Sequence, residues 1–141
     1  MSITAPQGFV AAGVAAGLKS TGAKDVALVV NEGPDRVAAG VFTSNRVVAA
    51  PVVWSRQVVA DGRVDAVILN SGGANAATGP EGFADAHRTA EHVAATLQAG
   101  GRDIGPGDVA VCSTGLIGVR LPMDSLLGGA DDAAGALSAD G

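Results

Sequence analysis

Blocks of apolar residues, separated by polar and glycine-rich stretches, predict several short strands and two helices. Val26-Ala27-Leu28-Val29-Val30 lies between Lys24-Asp25 and the turn signal Asn31-Glu32-Gly33-Pro34. Ala38-Ala39-Gly40-Val41-Phe42-Thr43 follows that turn, so the two runs are expected to pair antiparallel. Pro51-Val52-Val53-Trp54-Ser55 reads as a third strand, with proline at its first residue, where a missing N–H is tolerated. Ala66-Val67-Ile68-Leu69-Asn70 and Val109-Ala110-Val111-Cys112-Ser113 are continuous apolar runs that end in polar, glycine-rich loops, as buried strands do.

From Glu81 to Gln98 the period changes. Phe83, Ala86, Ala90, Val93, Ala94 and Leu97 recur at helical spacing. Thr78 and Glu81 have capping-box spacing, and Gly100-Gly101 marks the end. A second helix is expected from Pro122, burying Met123, Leu126 and Leu127, with Gly128-Gly129 and Asp131-Asp132 weakening its continuation. The expectation is an α/β protein: a layered sheet, mixed or antiparallel, covered by at least two helices, with residues 1–141 as one partial domain.

Composition narrows the class. Hydrophobic residues make up 48% of the 141 positions and charged residues 16%, which excludes a disordered tail. Aromatics are only 3%, so the core must be built from Val, Ala, Leu and Ile. The net charge of -5 argues against nucleic acid as a partner. No apolar run approaches the roughly 18 residues a membrane span requires. The start, Met1-Ser2-Ile3-Thr4-Ala5-Pro6, lacks the pattern of a signal peptide. One cysteine, Cys112, cannot form an internal disulfide. A soluble cytoplasmic protein fits these features.

Two loops could carry chemistry. Asn70-Ser71-Gly72-Gly73-Ala74-Asn75-Ala76-Ala77-Thr78-Gly79 leaves a strand and enters a helix, the layout that collects an anion on backbone N–H groups. It carries neither the lysine of a phosphate loop nor a G-x-G-x-x-G pattern, so a structural tight turn held by Asn70 and Asn75 is the preferred reading. Ser113-Thr114-Gly115-Leu116-Ile117-Gly118 also follows a buried strand. A threonine hydroxyl beside a glycine N–H gives two donors able to converge on an oxygen that becomes anionic in acyl transfer. The plain alternative is a strand-ending turn.

Together these loops resemble the ornithine acetyltransferase family of arginine biosynthesis. The resemblance rests on Asn70 to Ala76 with Thr78-Gly79, on Cys112 to Gly118, and on Leu121-Pro122-Met123. Pro6-Gln7-Gly8-Phe9 and Gly40-Val41-Phe42-Thr43-Ser44-Asn45 match as well, so it runs from near Pro6 to about Leu127. It implies a glutamate N-acetyltransferase that moves an acetyl group from N-acetylornithine to glutamate, some members also accepting acetyl-coenzyme A, with no metal or prosthetic group. It implies self-cleavage before a threonine that becomes the N-terminal nucleophile of a second chain, and paired portions that double into a heterotetramer. It assigns the oxyanion donors to Thr114 and Gly115.

The family's threonine-rich substrate segment, Lys-Gly pair and Ala-Thr cleavage point are expected beyond Gly141, on a downstream portion. The only lysines, Lys19 and Lys24, do not precede glycine. Ala95-Thr96 falls inside the clear helix and Ala77-Thr78 at its cap, so neither is expected to cleave. The chain alone is therefore expected to be inactive and to expose apolar surface where the downstream portion docks. The rival readings are an anion- or nucleotide-binding module built on Asn70 to Gly79 and a non-catalytic interaction subunit.

Other reactive residues have ordinary explanations. Ser2 would be N-terminal only after loss of Met1. Cys112 is expected in the core. His87 and His92 are five apart and do not share a helix face, so no joint metal site is expected. Asp131 and Asp132 read as a solvated face, and Trp54 and Phe83 as core.

Overall fold

The computed structural model describes residues 2–141, so Met1 and its removal lie outside the described residues. The chain forms β1 (Phe9–Val14), β2 (Val26–Asn31), α1 (Ala50–Val58), β3 (Ala66–Gly73), α2 (Gly79–Ala99), β4 (Val109–Leu116) and α3 (Met123–Gly135). The sheet order is β1-β2-β3-β4. β2 is antiparallel to both β1 and β3, and β4 is parallel to β3. This is the mixed, helix-covered sheet that the sequence predicts.

The strands have two unlike faces because their side chains alternate. Val26, Leu28 and Val30 of β2, Ala66 and Ile68 of β3, and Val109 and Val111 of β4 are buried. They form one core with Ala90, Val93 and Leu97 of α2 and Leu126, Ala130 and Ala133 of α3. Each fully buried Leu, Ile or Val contributes roughly 1.5–3 kcal/mol from area removed from water. The three helices pack on one another, so they lie on one side of the sheet. No helix among the described residues covers the other side, where Leu69 is 37% exposed.

Helix α3 runs through Gly128-Gly129 without interruption. A Cβ at Gly129 would collide with the Cβ of Ala16, so the small residue lets the helix lie close against the loop after β1. Helix α2 ends at Ala99 before the two glycines, as predicted.

Three expectations are corrected. Ala38 to Thr43 is not a strand: both edges of β2 are taken by β1 and β3, and the segment runs through solvent with Val41 fully exposed. The strand β1 that pairs instead carries Ala-Ala-Gly, residues with little strand preference, which hides it in the sequence. Pro51 to Ser55 lies in α1. Proline fits the first turn of a helix as well as the start of a strand, and Pro51, Trp54, Ser55 and Val58 are buried at helical spacing. The capping box at Thr78 and Glu81 does not form. The Thr78 hydroxyl instead donates to Asn75 Oδ1 at 2.7 Å.

Candidate functional site

The parallel pairing of β3 with β4 brings the two chemically suggestive loops side by side. Asn70 lies opposite Ser113, Ser71 opposite Thr114 and Gly72 opposite Gly115. Beyond the strands the pairing continues: Ala74 N–H donates to Leu116 O and Gly118 N–H to Ala76 O, each at 2.8 Å. Forty-three residues apart in sequence, the loops are one structure.

Glycine is required where they meet. Gly115 has φ +133°, and a Cβ there would come within 2.5 Å of the Gly72 carbonyl carbon. The two backbones approach more closely than any side chain permits.

Alternation along β4 then separates the side chains. Ser113 follows Val109 and Val111 onto the helix-covered side, where its hydroxyl donates to Asn70 Oδ1 at 2.6 Å. Thr114 turns to the open face and lines a cavity of about 430 Å³ with Cys112, Ser71, Leu69, Lys24 and Gly13. The backbone alternates too. Val109 and Val111 point away from β3, because Trp54 Nε1 donates to Val109 O at 2.9 Å and Ser55 Oγ bonds both Val111 O and Val111 N. Leu116 O, in contrast, accepts from β3's extension. Gly115 leaves this regular alternation: at φ +133° its missing Cβ would point into the Gly72-Gly73 backbone of β3. Thr114 and Gly115 are both exposed, at the corner between the open face and the outer edge.

Cys112 is corrected from core to cavity wall. It is exposed on the open face, opposite Leu69. Desolvation nonetheless raises its thiol above the ordinary value, which keeps it protonated and poorly nucleophilic at neutral pH.

Asp25 anchors the loop beside the cavity. Its carboxylate accepts N–H bonds from Ala16 at 2.7 Å and Lys19 at 2.9 Å. Burial opposes the charge, but bonds from Lys19, Ala16 and Leu18, with the Lys19 charge, outweigh it and hold the carboxyl below its ordinary value. On the other side, Arg120 forks onto buried Asp85 of α2 at 2.7 and 2.8 Å, tying down the end of the second loop.

The start of α2 is organised from within. Asn75 is 1% exposed with φ 48°. Its Nδ2 donates to Gly82 O at 2.7 Å and its backbone carbonyl accepts the Ala50 N–H, joining the starts of α1 and α2. Glu81 places its own carboxylate in the first turn, and the neighbouring hollow is lined by Val47, Val48, Val53 and Phe83. An incoming anion would meet the like charge of Glu81 there, which counts against the anion-binding reading.

The remaining residues are separated. His87 packs edge-on against Trp54, while His92 pairs with Asp131 at 2.8 Å, which also accepts from Thr96. Ala95 and Thr96 are helical, as expected. Ser2 Oγ donates to Gly141 O. Among the described residues no helix is long and apolar enough to cross a membrane, and no cluster of three or more potential ligands could hold a metal. The Asn70–Ser113 bridge was missed in sequence. Extending the buried alternation 66, 68, 70 and 109, 111, 113 would have found it.

Residues 10–140 match the ArgJ family. The chain is 64% identical over its whole length to the arginine biosynthesis bifunctional protein ArgJ of Streptomyces coelicolor, covering 36% of that protein. It is 68% identical over 127 residues to the Mycobacterium bovis protein of the same name, covering 90% of this chain and 31% of that one. The chain thus spans about a third of the length of these curated relatives. Its structure superposes on ornithine acetyltransferase from Mycobacterium tuberculosis, solved with ornithine, with a TM-score of 0.96 and 64% identity, over 97% of this chain and 71% of that one. The ArgJ structure from Bacillus halodurans gives 0.84 at 39% identity, over 93% and 65%.

Proposed function

Because the chain belongs to the ArgJ family, we propose that it is one partial domain, the amino-terminal portion of a cytoplasmic acetyltransferase that supplies the oxyanion donors. The observation that carries this reading is the placement of Thr114 on the open face with Gly115 at the adjoining edge. A downstream portion, released by self-cleavage, docks on the open face and brings the threonine nucleophile, and the paired portions double. The nucleophile's hydroxyl adds to the acetyl carbonyl of N-acetylornithine, and the carbonyl oxygen takes the negative charge. The Thr114 hydroxyl and Gly115 N–H donate to it. The intermediate collapses, the hydroxyl proton passes to the departing ornithine amine, and the glutamate amine then attacks the threonine ester, whose C–O bond breaks as the amine proton returns to the threonine oxygen. Neither step requires a prosthetic group.

Thr114→Val tests this in the assembled enzyme. Loss of one such donor lowers kcat by about 10²-fold with a smaller change in KM. Thr114→Ser keeps most of the rate. A near-normal Thr114→Val enzyme sinks the oxyanion role. The chain alone should form no N-acetylglutamate from N-acetylornithine and glutamate; product above background would overturn the division of the site between two portions. Expressing the portions separately keeps turnover independent of the cutting step.

A further inference from the structure

We propose that Asn70 is a positioning residue for acetyl transfer: through one buried amide it holds Ser113, and so aims Thr114 and Gly115. The inference rests on the oxyanion reading above and adds a residue to it.

Asn70 is 6% exposed. Its Oδ1 accepts the Ser113 hydroxyl at 2.6 Å, and its Nδ2 donates to Gly73 O at 3.2 Å. One planar group therefore fastens β4 immediately before Thr114 and β3 immediately after Gly72. These two points bracket the close crossing of Gly72 and Gly115. The need for such a fastening is local. α1 grips the outer edge of β4 at Val109 and Val111 through Trp54 and Ser55. Ser113 is the next outward residue, and its side chain is held from β3 instead. Asn70 and Ser113 border the cavity that Thr114 lines, but the Asn70 amide is 6% exposed and spent on Ser113 and Gly73, so it acts through the strand it holds. A displacement of about 1 Å at donors of this kind is enough to cost roughly 10²-fold in rate.

The test uses the assembled enzyme, with the two portions expressed as separate chains. Asn70→Ala and Ser113→Ala should each lower kcat by roughly 10-fold or more while KM stays within about 2-fold, because donor aim matters most in the transition state. The double variant should be no worse than the poorer single one, since both break the same bridge.

Asn70→Asp gives a readout that packing alone would not move. Protonated, its carboxyl can accept from Ser113 and donate to Gly73 O, reproducing the amide. Ionised, it sets lone pairs against the Gly73 carbonyl and a negative charge beneath the developing oxyanion. The ratio of variant to parent kcat should therefore rise as pH falls through the carboxyl's titration. If Asn70→Ala does not fold, this isosteric variant decides the matter. Thr114→Val in the same series separates the two readings. A 10²-fold loss there, with Asn70→Asp showing a flat ratio or the alanine variants showing additive or absent losses, overturns the positioning role and leaves the oxyanion role standing. A normal Thr114→Val enzyme overturns both.

Discussion

The first half of β4 and its second half meet different neighbours. Val109, Ala110 and Val111 are buried, and the outward backbone at Val109 and Val111 is closed by Trp54 and Ser55 from α1. Thr114, Gly115 and Leu116 are exposed, at the end of the same strand. An edge strand offers unpaired N–H and C=O groups to any passing chain. Here the structural half has that edge covered by a helix, and the half proposed to act chemically leaves it open. The contrast lets one strand anchor in the core at one end and stay exposed at the other.

Four changes would break or sharpen this contrast. The largest effect is expected at Gly115→Ala, which places a methyl group against the Gly72 backbone at a positive φ. It should cost about 3 kcal/mol or more, combining strain and overpacking. A thermal transition at the parent temperature would show that the crossing is not tight and that the exposed half is free to move.

Ser55→Ala removes the group that satisfies both backbone atoms of Val111. Leaving a buried donor and acceptor without partners should cost roughly 1–3 kcal/mol in urea titration. The assembled enzyme should keep its kcat. A lower kcat with unchanged stability would reverse the roles given to the two halves.

Asp25 tests the wall beside the open half. Its folded carboxyl is held below the ordinary value, so its stabilising contribution is complete above the unfolded value of about 4 and is lost as pH falls through the folded one. The stability lead of the parent over Asp25→Asn should thus be constant from neutral pH down to about 4 and shrink below it. A lead that grows on acidification would contradict the N–H bonds seen in the loop.

The smallest effect is expected at Cys112→Ala. The side chain is exposed and its thiol stays protonated, so kcat should hold and stability should change by at most about 0.5 kcal/mol. A folded but inactive variant would transfer the chemistry of this segment from Thr114 to the thiol.

The same contrast explains what was legible beforehand. Runs that are buried on one face and end in glycine-rich loops, such as Ala66 to Asn70 and Val109 to Ser113, declared themselves as strands. The 3.6-residue recurrence from Phe83 to Leu97 declared α2. Thr114 and Gly115 stood out through their chemistry and through the family resemblance. Elements whose residues suit two structures did not. Pro51-Val52-Val53-Trp54 satisfies both a strand and a helix start, and only packing of Trp54 and Ser55 against the edge of β4 selects the helix. Phe9 to Val14 is weak as a strand until β2 offers it an edge.

Cys112 marks the boundary between the two kinds of information. Its neighbours Val109 to Val111 make it look like core, because local composition reports the mean polarity of a segment and not which way each side chain points. The sequence by itself determined the α/β class, β2, β3, β4 and the long helix, since burial period and glycine position are local properties. Only the tertiary structure decided that Ala38 to Thr43 does not pair with β2, that Asn70 reaches Ser113, and that Thr114 faces open cavity while Ser113 faces the core. Those outcomes depend on which strand edges remain free and on the register of β3 against β4, and register is a relation between segments that neither segment encodes alone.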